Sequence, residues 1–180
     1  VDVVEVTSAN NIKVLAAELD TNFNQVLMAP INADEYFLVE NCRTDIDGDG
    51  VTNLKADSTT DVILGPRSPG NPANNREYDF LIPGSGMVIW HVDELVARLD
   101  YNGDGINNFD QNQLQLWNFA SDSLKWDNHH RFLSLVEADG IVDFGGNYYS
   151  GYGKQADLFD ITGNATFGPS TNPPTIASNN

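Results

Sequence analysis

Apolar residues recur along this chain mostly in the two-residue period of β-strands. Residues 1 to 7 and 12 to 19 carry alternating or β-branched apolar positions, and Glu35-Tyr36-Phe37-Leu38-Val39-Glu40 is a short apolar run edged by acids. Gly86-Met87-Val88-Ile89-Trp90-His91-Val92-Asp93 is the most strand-like stretch of all. Short, nearly continuous runs of this kind fit central strands buried on at least one face. Residues 93 to 99 suit a short helix, and 112 to 126 carry a weaker helical period. Between the two central strands, residues 44 to 76 lose the pattern, and from 65 to 75 they turn rich in Pro, Gly and Asn. Apolar strands resume on both sides, so this is an insertion within a domain rather than a linker. Residues 162 to 180, rich in Asn, Thr, Pro and Ser, read as a surface tail. The pattern predicts one mainly-β domain over residues 1 to 161, more a β-sandwich than a barrel, with one or two short helices.

Composition narrows the setting. A chain of 180 residues that is 41% apolar and 10% aromatic has material for a folded core and is not an acidic disordered tail. Its 26 acids against 9 bases give a net charge of −17. That balance argues against nucleic acid and against an anionic membrane surface, both of which demand clustered Lys and Arg. It favours cations. No apolar run approaches the roughly 18 residues that span a bilayer, and no basic-then-apolar signal segment opens the chain, so Val1 reads as a cut inside a longer protein. Cys42 is the single cysteine and excludes an internal disulfide.

Within the loops, one pattern occurs twice. Asp45-Ile46-Asp47-Gly48-Asp49-Gly50-Val51-Thr52-Asn53 and Asp100-Tyr101-Asn102-Gly103-Asp104-Gly105-Ile106-Asn107-Asn108 both place oxygen side chains at positions 1, 3, 5 and 9 and glycine at position 6. This is the front half of an EF-hand calcium loop. A hard divalent ion takes about six to eight oxygens, which alternate side chains and the position 7 carbonyl, here Val51 or Ile106, can supply. Position 12, glutamate in an EF-hand, is Ala56 in the first loop and Gln111 in the second, with Asp57 and Asp110 one residue away. Asp-Gly and Asn-Gly also serve plain turns, but a turn does not require five specified positions, twice. The expected ligands of two calcium ions are therefore Asp45, Asp47, Asp49, Val51, Asn53 and Asp57, and Asp100, Asn102, Asp104, Ile106, Asn108 and Asp110. Open-ended loops of this kind fill where calcium is abundant, outside the cell. Their missing position 12 acids and the strands between them argue against a sensor or a dockerin-like pair.

Four segments then carry a family resemblance. Glu35-Tyr-Phe-Leu-Val-Glu-Asn41, Leu81-Ile-Pro-Gly-Ser-Gly-Met-Val-Ile-Trp-His-Val-Asp93, His130 with Val136-Glu-Ala-Asp-Gly140, and Asp157-Leu-Phe159 resemble successive signatures of immune inhibitor A-type secreted bacterial metallopeptidases. The resemblance covers roughly residues 30 to 170. In that family these segments follow the zinc-protease core, so it implies a secreted, multi-domain zinc endopeptidase as parent and the catalytic domain of the same polypeptide as partner. Cys42 stands where the family more often has arginine, and the segment around the first loop is longer than usual.

Catalytic chemistry is missing from the chain itself. Zinc peptidases of this type need His-Glu-x-x-His, and the three histidines, His91, His129 and His130, are not so arranged. Zinc is thus expected only in the catalytic domain, and a separate site at His91, Asp93 and His130 is a lesser reading than hydrogen bonding to neighbouring loops. Glu35 with Glu40, or Glu137 with Asp139, would suit glycoside hydrolysis only across a cleft, and otherwise read as solvated or turn-forming acids. Ser85, between two glycines, belongs to a turn, not a nucleophile elbow. Tyr148, Tyr149 and Tyr152 among glycines could present a platform to a sugar. The function expected is a non-catalytic, calcium-stabilised module supporting a secreted metallopeptidase core; an extracellular carbohydrate-binding or adhesion module, with a protein or glycan ligand, is the alternative.

Overall fold

The computed structural model describes residues 2–8, 11–16, 25–46, 48, 54–56, 63–66, 79, 82–100, 103–107, 109–110, 132–141 and 153–175. Among these residues seven strands form: β1 (Asp2–Glu5), β2 (Gln25–Pro30), β3 (Glu35–Cys42), β4 (Leu54–Ala56), β5 (Ile63–Pro66), β6 (Gly86–Asp93) and β7 (Leu133–Leu135). Helix is confined to α1 (Glu94–Arg98) and a 3-10 turn (Gln155–Asp157) among the described residues. A five-stranded mixed sheet runs in the order β1-β2-β3-β6-β7, and β4 pairs with β5 in a two-stranded ribbon. The fold is mainly β, as the two-residue period predicts.

The sheet is organised by its central pair. β3 and β6 are antiparallel over their full length, from Glu35 opposite Asp93 to Cys42 opposite Gly86. That register puts Phe37, Val39, His91 and Ile89 on one face, and Leu38, Cys42, Trp90 and Val88 on the other. Each face has its own apolar cluster: Phe37, Ile89, Ala138 and Phe159 on the first, Cys42, Val88 and Leu158 on the second. Burial on both sides is why β6 reads as a continuous apolar run and not as an alternation.

The free side of β6 is shared by two segments. Near its C-terminal end β7 pairs with it, Trp90 opposite Leu135 and Val92 opposite Leu133. Val136 N–H still reaches Ile89 O at 2.8 Å, and then the chain turns away. Phe159 takes over lower down, exchanging two backbone hydrogen bonds with Met87 (2.9 and 3.1 Å). Leu158 and Phe159, consecutive in an extended segment, therefore fill the clusters on opposite faces.

Helix α1 starts where β6 ends. Asp93 caps it by accepting Leu95 N–H (2.8 Å), Glu94 occupies the first turn and Arg98 the last, which suits the helix dipole. Val96 is its buried residue, and Glu94 N–H donates to Asp34 O (2.8 Å) across the adjacent turn.

Several expectations are changed. Residues 11–16 form no strand, although residues 12 to 19 alternate; Asn11 turns the chain with φ 61°, and Val14 O is taken by the Asn41 side chain (3.0 Å) in place of a ladder. β2 is not predicted by the pattern. Its Met, Ala and Pro are weak strand formers, and Pro30 is tolerated because it is the last residue of the strand. The tail is more than a surface run: Phe167 meets Phe37 edge-on (centroids 5.0 Å, 84°) and Phe159 at 5.5 Å. The helical period over 112 to 126 lies outside the described residues, as does most of the insertion 44 to 76.

Candidate metal centre

Three carboxylates converge where the chain changes hands beside β6. Glu137 and Asp139 lie just past the end of β7, and Asp157 closes the 3-10 turn before Phe159. One oxygen from each lies within 4.8 Å of the others. Glu137 (3% exposed) and Asp157 (1%) are buried and Asp139 is half-buried.

Backbone hydrogen bonds hold the three in place. Ala138 N–H donates to Asp157 O (2.9 Å), stitching the two segments together between Glu137 and Asp139. Gly140 N–H returns to Glu137 O (2.9 Å), and Gly140 takes φ 73°, a left-handed value that suits glycine. Asp139 Oδ1 accepts Ile141 N–H (2.8 Å), and Asp157 Oδ2 accepts Lys154 N–H (2.6 Å) while no hydrogen bond reaches its Oδ1. Fully ionised carboxylates this close repel, so the arrangement suits a cation that brings them together. An all-oxygen set matches a hard ion, calcium or magnesium, better than a soft one. This cluster could hold a metal ion, and it is distinct from both predicted loops.

Of the first loop, Asp45 is described and Asp47, Asp49, Val51, Asn53 and Asp57 lie outside the described residues. Asp45 Oδ1 accepts Gly48 N–H at 2.7 Å, and Gly48 has φ 75°. In the second loop Asp100, Asp104, Ile106 and Asp110 are described, and Asn102 and Asn108 are not. Asp100 Oδ1 accepts Gly103 N–H (2.8 Å) and Asp104 N–H (3.3 Å), and its Oδ2 accepts Gly105 N–H (2.7 Å). Both first-position aspartates thus bind the amide of position 4, where glycine takes a left-handed φ in each loop (75° at Gly48, 73° at Gly103). Asp110 accepts from Asn107 Nδ2 (2.8 Å). The second loop returns to α1 through Phe109 N–H, which donates to Ala97 O (3.1 Å).

Among the described residues, Glu35, His91, Glu40, Asp93 and Glu94 make hydrogen bonds that hold the sheet and α1 in place. His91 Nε2 lies 2.8 Å from Glu35 Oε1, Asn32 Nδ2 donates to Glu35 Oε2 (2.9 Å), and Glu35 is fully buried. The His91 ring packs on Phe37 (5.3 Å), and Asp93 caps α1. This is the hydrogen-bonding role that the sequence favours for His91 and Asp93; His129 and His130 lie outside the described residues. Glu40 accepts Trp90 Nε1–H at 2.6 Å. Tyr36 O–H donates to Glu94 (3.1 Å), and burial, reinforced by that carboxylate, pushes the phenol above its usual range.

Sequence reasoning takes Glu137 and Asp139 as turn acids, and Asp139 does sit in a turn. What it misses is Asp157, which only the fold brings alongside. The signal available is weak: each acid falls in one of the short segments that carry the family resemblance.

Fold and site together define a mainly-β protein with a buried acidic cluster able to hold a metal ion. No family model, curated protein or solved structure matches the chain. Among the described residues no helix is long and apolar enough to cross a membrane.

Proposed function

We propose that this chain is a non-catalytic module of a secreted metallopeptidase similar to immune inhibitor A, stabilised by calcium and supporting the protease core of the same polypeptide. The observation that carries the calcium part is the meeting of Glu137, Asp139 and Asp157 within 4.8 Å, two of them buried, at the junction of two segments that complete the sheet beside β6. An ion there ties the end of β7 to the Phe159 bridge and offsets the repulsion of the three acids. The two Asp-Gly loops add sites of the same chemistry at the surface, where Asp100, Asp104 and Ile106 are exposed. The peptidase part rests on the order of the four resembling segments and on the absence of His-Glu-x-x-His from the chain. The module then acts by holding shape, with the zinc and the bond cleavage belonging to the catalytic domain.

Calorimetric titration with calcium tests this. The wild type is expected to bind, Glu137→Gln and Asp157→Asn to lose one site, and Asp47→Ala and Asp104→Ala to lose others independently. Absence of heat in the wild type would overturn the calcium assignment. For the parentage, the discriminating observation is a His-Glu-x-x-His segment upstream of Val1 in the full gene product.

A further inference from the structure

The acidic turn is clasped from outside by the segment that follows Phe159. Asn164 Nδ2 donates to Ala138 O (2.7 Å), and Ala138 is the residue between Glu137 and Asp139. Ala138 N–H is already committed to Asp157 O, so both backbone polar groups of that residue are fixed, one by the acid cluster's own chain and one by Asn164. Asn164 Nδ2 also approaches Asn172 O (3.3 Å), and the Asn172 side chain packs so closely on Gly140 that a Cβ there would collide with its amide carbon at 2.7 Å. The segment is itself folded. Thr171 and Thr175 N–H donate to Gly168 O (3.2 and 3.1 Å), and Thr171 Oγ1 accepts Gly168 N–H (2.8 Å). Phe167 anchors it on Phe37 and Phe159, the core residues beneath the acids.

We infer that residues 160–175 form a strap whose closure is coupled to ion binding at Glu137, Asp139 and Asp157. This rests on the metal reading of that cluster and adds its regulation. The coupling is mechanical. With no cation, repulsion among the acids pushes Glu137 and Asp139 away from Asp157, and Ala138, held between them, carries that displacement to Asn164 and from there to the Gly168–Thr175 knot. With a cation the acids close, and the strap's hydrogen bonds have a fixed base. Linkage then demands reciprocity: whatever factor the ion adds to strap closure, strap closure adds to ion affinity. Ion loss is thereby converted into exposure of Phe167 and of the core under it, at a point where a peptidase could cut.

The test uses the full chain with calcium chloride as probe. Amide exchange at Gly168, Thr171 and Thr175 is expected to slow by about fivefold or more on adding calcium, the lower range for coupled sites. Glu137→Gln is expected to abolish that slowing while leaving the Asp-Gly loops intact. Asn164→Ala, and independently Phe167→Ala, should weaken calcium binding at the cluster by a factor matching the loss of protection. If calcium binds and Glu137→Gln removes the site, yet exchange in the strap is unchanged and Asn164→Ala keeps wild-type affinity, the coupling is refuted and the metal site stands. If wild type and Glu137→Gln bind calcium identically, the metal reading of the cluster fails and the coupling fails with it.

Discussion

Asp160 gathers four donors around one carboxylate at the surface. Its Oδ1 accepts from Thr162 N–H and Oγ1–H (both 2.6 Å) and Gly163 N–H (2.8 Å), and its Oδ2 from Gln155 Nε2 (2.7 Å). The Thr162 hydroxyl, then the Thr162 and Gly163 amides, hold its carboxyl below the ordinary aspartate value. A depressed folded-state pKa stabilises the protein above the unfolded value, near 3.9, and that contribution disappears as pH falls through the folded one. Urea unfolding followed from about pH 6 down to about pH 2 should therefore show an acid-side loss of stability that Asp160→Asn diminishes. Individual residues also show where the sequence is legible. Asp45 and Asp100 are found because their partners are three residues away, inside one local motif. Glu137 and Asp157 are separated by 20 positions and no periodicity joins them; only the pairing of both segments with β6 does.

Among elements, β3 and β6 announce themselves because they are long and carry unbroken apolar runs, Tyr36 to Val39 and Met87 to Trp90, that feed the clusters on both faces. β7 has three residues and β2 a mixed composition, too little signal for any pattern to exceed its background. α1 is legible through its cap, since Asp93 followed by Glu94 marks a helix start. Asp93→Ala should cost about 1 kcal/mol in unfolding free energy through the lost Leu95 contact alone. Because Asp93 is fully buried at the end of the central strand, a measured loss below that size would contradict a capping role. Phe159 tests the other end of β6. It is 5% exposed and joins the first cluster while pairing with Met87, so Phe159→Ala should destabilise by about 3–5 kcal/mol in denaturant titration, as large aromatic truncations in cores do. A surface-like cost under about 0.5 kcal/mol would mean the bridge is not formed.

Taken whole, the molecule is a sheet whose last strand position is filled by two separate segments, carried by a chain with 26 acids and 9 bases. Mainly-β character follows from the period of the apolar residues, and the expectation of a cation partner from the charge. The acidic cluster and the contacts of residues 160–175 with it follow from neither, because both arise where distant segments meet. Self-repulsion at net charge −17 opposes compaction, and divalent ions bound as proposed would relieve it. If free calcium stands about a hundredfold above its dissociation constant, one site adds roughly 2.7 kcal/mol to the native state. For a chain of this size each kcal/mol moves the melting temperature by about 2–4 °C. Differential scanning calorimetry of the wild type, with calcium and again with a calcium chelator, measures this directly. The melting temperature is expected to be higher by several degrees with calcium, most of the difference disappearing in Glu137→Gln; identical melting temperatures with calcium and with chelator would contradict stabilisation by calcium.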